Sequence, residues 1–189
     1  MNKTWLEKTL RVRLPITLAV VLITYAITFF ISEDERFNVG YQPEQPIPFS
    51  HKKHSGEMKI DCRYCHTGVE KGRHAVIPAL NVCMNCHNEV KTESPHIKKL
   101  TKAYEDNAPW PWKRVYRMTD HVFFDHSVHI AKGFDCYQCH GEVNTMDTVR
   151  QIQKMTMGMC INCHQGEHKE QAGLEGEIKG PTNCSACHR

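Results

Sequence analysis

The sequence has few of the residues that build an ordinary protein core. Beyond an apolar run near the N-terminus, residues 32–189 are thin in leucine, isoleucine and phenylalanine. They also contain no glycine-rich nucleotide loop. These shortages argue against a nucleotide-dependent enzyme and against a domain folded around its own aliphatic side chains.

The chain also lacks net charge beyond its first residues. Its formal charge is +3, and the N-terminal groups account for all of it, Lys3, Lys8, Arg11 and Arg13 against Glu7. Residues 32–189 are therefore formally neutral. Nucleic-acid binding depends on a basic surface that meets the phosphates, so nucleic acid is excluded as a partner.

Cysteine is present only in one repeated pattern. All ten cysteines fall in five copies of Cys-x-x-Cys-His, numbered here as motifs 1 to 5: Cys62/Cys65/His66, Cys83/Cys86/His87, Cys136/Cys139/His140, Cys160/Cys163/His164 and Cys184/Cys187/His188. In this spacing two thiols can each form a thioether with one vinyl group of the same haem, and the adjacent imidazole reaches the iron. The pattern predicts five covalently bound c-type haems, called haems 1 to 5 after their motifs.

Zinc ribbons, redox dithiols and disulfides also use paired cysteines. Zinc ribbons need the pairs in twos, whereas five is an odd number, and a redox dithiol needs no histidine at the next position. Wrapping one haem per roughly thirty residues would supply the apolar surface that the side chains lack. We therefore expect a mostly irregular and α-helical multihaem cytochrome c with class III-like repeats, unfolded without haem.

An N-terminal membrane anchor is predicted. Residues 1–13 carry the basic side chains, and residues 14–31 are uncharged and mostly apolar, near the lower limit for a span. The run is longer than the apolar core of a cleavable signal peptide, and no small-x-small cleavage site follows it. The positive-inside rule then places residues 1–13 in the cytoplasm and the haem domain on the periplasmic side of the inner membrane.

Residues 32–189 are expected to form four parts. Residues 32–48, with three prolines between Gly40 and Pro48, read as an extended tether. Residues 49–90 would carry haems 1 and 2, residues 91–120 form a linker, and residues 121–189 would carry haems 3, 4 and 5. In the linker, Ser94-Pro95 predicts a helix start and Asn107-Ala108-Pro109 stops that helix after about Glu105. The Gly166–Gly180 run predicts a loop.

An internal repeat supplies candidates for the second axial ligand of each iron. Phe49-Ser50-His51-x-x-His54 precedes motif 1, and Phe124-Asp125-His126-x-x-His129 precedes motif 3. We expect the first histidine of each pair to bind the haem nearby in sequence and the second to reach a haem further away.

The remaining ligand is left open by the sequence. His74 and Met146 follow motifs 1 and 3 at similar distances and compete with His121 and His168, whereas His96 is expected on a helix surface. Two protein ligands on every iron leave electron exchange as the only chemistry. No Cys-x-x-Cys-Lys motif of the type found in nitrite reductases is present.

The anchor is combined with the segments GYQPEQPIPFSHKKHSG, IDCRYCH, CMNCH, HVFFDHSVH and CINCH. In these features the chain resembles the pentahaem cytochrome subunit of alternative complex III. The half-repeat is similar to the class III tetrahaem cytochromes. The first resemblance implies an electron-transfer subunit, itself no enzyme, of a membrane quinol:cytochrome c oxidoreductase. Its partners would be iron–sulfur and integral-membrane subunits, with a monohaem cytochrome c or an oxidase as acceptor.

A second class of function fits the same anchor and size. A membrane-anchored multihaem quinol dehydrogenase takes electrons directly from quinol through a haem close to the bilayer. The fifth haem and the paired Phe-x-His-x-x-His elements favour the relay instead. An electron store without obligate partners is a third possibility.

Overall fold

A computed structural model describes residues 7–31, 37–167 and 179–188. The chain divides into two compact units, Met1–Phe37 and Asn38–Arg189. Helices and irregular segments make up the described residues, which contain no β-strand. His168 and residues 168–178 of the expected glycine-rich loop lie outside the described residues, as does the charged stretch 32–36.

Within the first unit, the described residues up to Ile31 form one apolar helix. A π-helical turn, Thr9–Arg13, continues into helix α1, Leu14–Ile31, so the helix has the bounds expected from the uncharged run. Its large apolar side chains are exposed, from Leu14 to Phe30. A helix that is apolar on all sides suits a lipid environment. Residues Thr9–Phe30 are long and apolar enough to cross a membrane, a test that an N-terminal signal sequence would also pass.

The second unit contains seven short α-helices among its described residues. They are α2 (Cys62–Cys65), α3 (Leu80–His87), α4 (Pro95–Glu105), α5 (His126–Ala131), α6 (Cys136–His140), α7 (Met157–His164) and α8 (Cys184–Cys187). A π-helical turn spans Lys52–Glu57 and a 3₁₀ turn spans Val143–Thr145. Long irregular connections join these elements.

Helix α4 confirms the start predicted at Ser94-Pro95. Ser94 has extended backbone angles at the N-cap, Pro95 occupies the first turn, and the helix ends at Glu105. Ile97 and Leu100 are buried on one face, and Leu100 packs with Ile47 and Leu80. Trp110 and Trp112 pack around this cluster. It is a small core, as the shortage of aliphatic residues predicted.

Residues 41–48, which follow a turn at residues 37–40, form no helix or strand and belong to the second unit. Gln45 exchanges two hydrogen bonds with the backbone of Lys113, and the backbone N–H of Gly40 donates to the carbonyl of Gln151 at 2.8 Å. Gln151 is fully buried, and its side-chain oxygen accepts from the backbone N–H of Arg117. The part of the expected tether that the structure describes is therefore bonded along the haem domain.

Candidate haem sites

Each Cys-x-x-Cys-His motif lies on a short helix. One helical turn places residues i and i+3 on the same face, so the two thiols of a motif point the same way. The starts of three of these helices are fixed by polar caps, one of them the Thr156 hydroxyl, which accepts from the backbone N–H of Met159 before motif 4. The Asp61 carboxylate accepts from the backbone N–H of Arg63, and Asp135 with Gln138 forms a capping box. The local sequence therefore presents two thiols and one imidazole together.

None of the ten cysteines is paired in a disulfide. Among the described residues, no group of three or more His, Cys, Asp and Glu side chains is gathered as a metal site. The described residues thus hold no four-ligand cluster of the kind that a zinc ribbon requires.

The ten cysteines are not equally covered. Cys86 of motif 2 and Cys184 of motif 5 are exposed, whereas the other eight are half-buried. For Cys86 the reason is its place on α3. Leu80 is buried in the small core and Cys83 packs against it, but Cys86 lies in the last turn of the helix, beyond that core. Cys86 still stands one helical turn from Cys83, as thioether attachment requires.

Three pairs of histidine rings lie at nearly equal separations, with interplanar angles of 64°, 8° and 34°. The ring centres are 6.2 Å apart for His54 and His87, 6.4 Å for His126 and His140, and 6.1 Å for His129 and His164. Imidazole nitrogens bind first-row metals at about 2 Å, so two imidazoles on opposite faces of one iron have ring centres roughly 6 Å apart. The spacing of these pairs fits an iron between the two rings.

The same rings are oriented by backbone carbonyls. Nδ1 lies within 3.0 Å of a carbonyl oxygen in five of these six histidines and in His66 and His188 as well: His54 to Ser50, His66 to Val76, His87 to Val90, His126 to Arg73, His129 to Asp125, His164 to Pro181 and His188 to His121. A carbonyl can only accept, so Nδ1 carries the proton and Nε2 keeps its lone pair. Such a tautomer is the one that an iron ligand needs.

His51 and His140 differ from the others. Burial, then the neighbouring His66 and His54, lowers the pKa of His51 to about 4, and its Nδ1 is buried without a hydrogen-bond partner. Burial, then His126 and His66, lowers the pKa of His140 to about 4. Both imidazoles are therefore neutral at physiological pH, and His51 lies close to His66 of motif 1.

The phenylalanine of each repeat supports both histidines that follow it. Phe49 stacks on His54 with ring centres 4.4 Å apart and meets His51 edge-on at 4.9 Å. Phe124 stacks on His129 at 4.5 Å and meets His126 edge-on at 4.8 Å. The repeat is thus structural as well as sequential, and the repeated spacing of its phenylalanine was the available signal for this role.

Two further contacts were not predicted from sequence. Tyr116 lies edge-on to His140 at 4.4 Å, and its hydroxyl donates to the carbonyls of His140 and Arg150. Gly180 leaves space for His164, because a Cβ built on it would lie 2.7 Å from the imidazole. Tyr116 is 24 residues from His140 and Gly180 is 16 residues from His164, so no local pattern marks either residue.

Among the described residues, the candidates for the remaining axial ligand do not take part in the histidine ring pairs described above. His74 and His121 are exposed, and the carbonyl of His121 accepts from Nδ1 of His188. The carbonyl of Met146 accepts from the backbone N–H of Lys52, beside His51. His96 is exposed on α4, as expected.

Several half-buried thiols have their pKa raised by burial and by a second thiol. Burial is the first cause that raises the pKa of the Cys83, Cys136, Cys139 and Cys160 thiols, to about 11 for Cys136. The second cause is a thiol of another motif in each case: Cys65 for Cys83, Cys62 for Cys136, Cys163 for Cys139 and Cys187 for Cys160.

Comparison with known proteins agrees with this geometry. Residues 30–110 match the class III cytochrome c family, and residues 122–189 match the family of cytochrome c7 and related cytochromes c. A curated relative is the multihaem cytochrome c subunit of a menaquinone reductase from Nitratidesulfovibrio vulgaris, 29% identical over 169 residues, with 78% of each chain covered. Both families bind haem through thioethers, and both matched regions contain the motifs described above. The motifs and these matches together make the protein a multihaem c-type cytochrome with covalently bound haem, an electron-transport protein that is similar to the class III family over residues 30–110.

Proposed function

We propose that the chain is an electron relay of five c-type haems, each closed by two protein ligands, within a membrane complex that exchanges electrons with quinone. The observation that carries this proposal is the spacing of the three imidazole pairs. A c-type haem whose iron is bound on both faces exchanges single electrons and offers no position for a substrate.

The proposed ligand sets follow the ring pairs. His87 with His54 would hold haem 2, His140 with His126 haem 3, and His164 with His129 haem 4. His66 with the nearby His51 would hold haem 1. His188 would bind haem 5, with His74, His121, His168 and Met146 as the competing candidates for its partner. The proposal thus keeps the expectation that the first histidine of each repeat binds the haem nearby in sequence and the second binds a haem further away.

The chain's own residues would position and insulate these groups. Carbonyls fix the proton on Nδ1 of the imidazoles, which makes Nε2 a stronger donor and favours the ferric state. Phe49 and Phe124 hold the rings in orientation and keep water from them. The ten thiols, the exposed Cys86 and Cys184 included, supply the covalent attachment.

The quinone link rests on the relative and on the resemblance stated above. The N. vulgaris protein is named as a menaquinone reductase subunit, whereas alternative complex III oxidises quinol. A relay with closed irons passes electrons in either direction, and the potentials of its partners decide which. We infer that helix α1 anchors the chain in the cytoplasmic membrane with the haem domain on the periplasmic side, beside integral-membrane and iron–sulfur subunits. A monohaem cytochrome c or an oxidase would exchange electrons with it.

The test is to follow haem absorbance after a menaquinol or ubiquinol analogue is added to the isolated holo-protein. The relay predicts slow or no reduction of the isolated chain, and rapid reduction when the membrane and iron–sulfur subunits are restored. A soluble electron donor, added to the same isolated sample, is the control for intact haems. Rapid reduction of the isolated chain by quinol would contradict the relay and favour a quinol dehydrogenase.

A further inference from the structure

We propose that the five haem-binding motifs follow one another in space in the order 2, 1, 3, 4, 5, so that the relay ends at motifs 2 and 5 and its two halves meet through motifs 1 and 3. The order rests on the relay proposed above. It differs from the order along the chain, in which motif 2 would be the neighbour of motif 3.

Motifs 2 and 1 are joined directly. The side-chain amide of Asn85, between the cysteines of motif 2, donates to the hydroxyl of Tyr64, between the cysteines of motif 1, at 2.9 Å. The histidines proposed for these two motifs lie on one π-helical turn, with His51 at its N-cap and His54 within it. One turn therefore serves both haems and keeps them adjacent.

Motifs 1 and 3 form the junction between the two halves. Nδ1 of His126, which faces motif 3, donates to the carbonyl of Arg73, seven residues beyond motif 1, at 2.7 Å. The backbone N–H of Ser127 donates to the neighbouring carbonyl of Gly72. The ring orientation of a haem 3 ligand thus depends on a segment that belongs to the first half.

The Lys52–Glu57 turn also contacts the second half. It packs against the Val143–Thr145 turn just after motif 3. Gly56 allows this approach, because a side chain there would collide with the backbone of Asn144. The hydroxyl of Ser50 donates to the Asp147 carboxylate at 2.8 Å. The turn that carries the ligands of haems 1 and 2 is therefore fixed against the haem 3 region.

Motifs 3, 4 and 5 continue in chain order. Helix α5 carries His126, which faces motif 3, and His129, which faces motif 4. The Gln153 side chain donates to the carbonyl of Gln138, inside motif 3. His164 of motif 4 bonds to Pro181 through Nδ1 and to Gly180 through its carbonyl, and both precede motif 5.

In this order, the two halves of the internal repeat meet through their first motifs. The first motif of each half lies at the junction, and the second motif of each half lies on its outer side. Motif 5 then extends the second half by one position. A partner that exchanges electrons with one end would meet α3 and the neighbouring α4, whereas a partner at the other end would meet α8.

The iron positions in the intact holo-protein test the order. They can be located by anomalous scattering at the iron edge or in a cryo-electron microscopy map, with each haem identified by its attached cysteines. We expect the iron of haem 1 to have haems 2 and 3 as its nearest neighbours. A map in which haem 2 is nearer to haem 3 than haem 1 is would overturn the proposal.

A solution measurement addresses the same point on matched variants. His54→Met and His126→Met each replace one imidazole by a thioether and should raise the potential of haem 2 or haem 3. Coulomb coupling to adjacent haems should then shift one other haem for His54→Met and two for His126→Met, as resolved by redox titration with haem-methyl NMR. Equal numbers of shifted neighbours would contradict the order. Neither readout uses quinol, so failure of the order is distinguishable from failure of the relay.

Discussion

At the scale of single residues, the imidazole pairs carry most of the account. Each pair joins a motif histidine to a histidine of the repeat, with the rings separated by the space of one iron. Nδ1 of most of these rings is committed to a carbonyl, which leaves Nε2 for the metal. Loss of one ring should therefore open one iron and leave the other four closed.

His126→Ala should convert one of the five haems to a form that binds carbon monoxide when reduced. The alanine removes the ligand that faces His140, and no imidazole remains at that face. His96→Ala is the matched control, because His96 is exposed on α4 away from the ring pairs. The measurement is the carbon monoxide difference spectrum of the reduced proteins. An unchanged spectrum for His126→Ala would remove His126 from the ligand set.

Phe49→Leu should lower the stability of the holo-protein by about 1 kcal/mol, the usual contribution of one aromatic ring contact. Phe49 stacks on His54, and leucine fills the space without providing a flat ring. Phe124→Leu should cost a similar amount because it repeats the geometry. Denaturant unfolding followed by haem absorbance measures both, with Tyr104→Leu on the exposed side of α4 as control. A loss as large for Tyr104→Leu would argue against a specific role of the stack.

At the scale of elements, the sequence specified local structure better than tertiary contacts. The i, i+3 thiols, helix α4 from Ser94-Pro95 and the uncharged helix α1 follow from spacing, caps and composition. The contact of His126 with Arg73 joins residues 53 positions apart, and no local pattern encodes it. The same is true of the Gly40–Pro48 segment, whose prolines predict extension but not its bonds to residues 113 and 151.

The exposure of individual motif cysteines is a second feature that spacing does not encode. Cys83 and Cys86 have the same place in the repeated pattern as every other thiol pair, yet only Cys83 packs against the small core. Which thiol is covered depends on where Leu80 and α4 meet, and that is a tertiary contact.

Gly180→Ala should disturb haem 4 selectively. The segment that leads to α8 approaches His164 so closely that a methyl group on residue 180 would lie 2.7 Å from the ring. The ring or the segment must then move, which should alter the low-spin signal of one haem in the electron paramagnetic resonance spectrum. Gly72→Ala is the matched control, because nothing lies within 4 Å of the added carbon. Identical spectra for the two variants would show that the close approach is not maintained in the holo-protein.

At the scale of the whole molecule, the shortage of apolar core residues makes folding dependent on the haems in this account. Of the apolar side chains described, those buried are Ile47, Val69, Leu80, Ile97, Leu100 and Met155. A second unit of this length would ordinarily bury a much larger core. The haems would have to supply the missing apolar surface, and the thioethers would tie the chain to them.

The chain made without haem attachment should therefore show no cooperative unfolding transition. The few buried apolar side chains described cannot offset the conformational entropy of ordering the chain. Circular dichroism during a temperature scan, with the matured holo-protein as control, measures this. A sharp thermal transition in the haem-free chain would contradict the expectation that the cofactors complete the core.

The central claim is that two protein ligands close every iron, and the most direct measurement is carbon monoxide binding to the fully reduced wild-type holo-protein. Its haem content is fixed beforehand by intact mass, which should show five attached haems. The account predicts no stoichiometric carbon monoxide complex and a spectrum that stays low-spin. Binding of one equivalent or more would show an open iron, and the relay would then have to be replaced by a protein with a substrate-accessible haem.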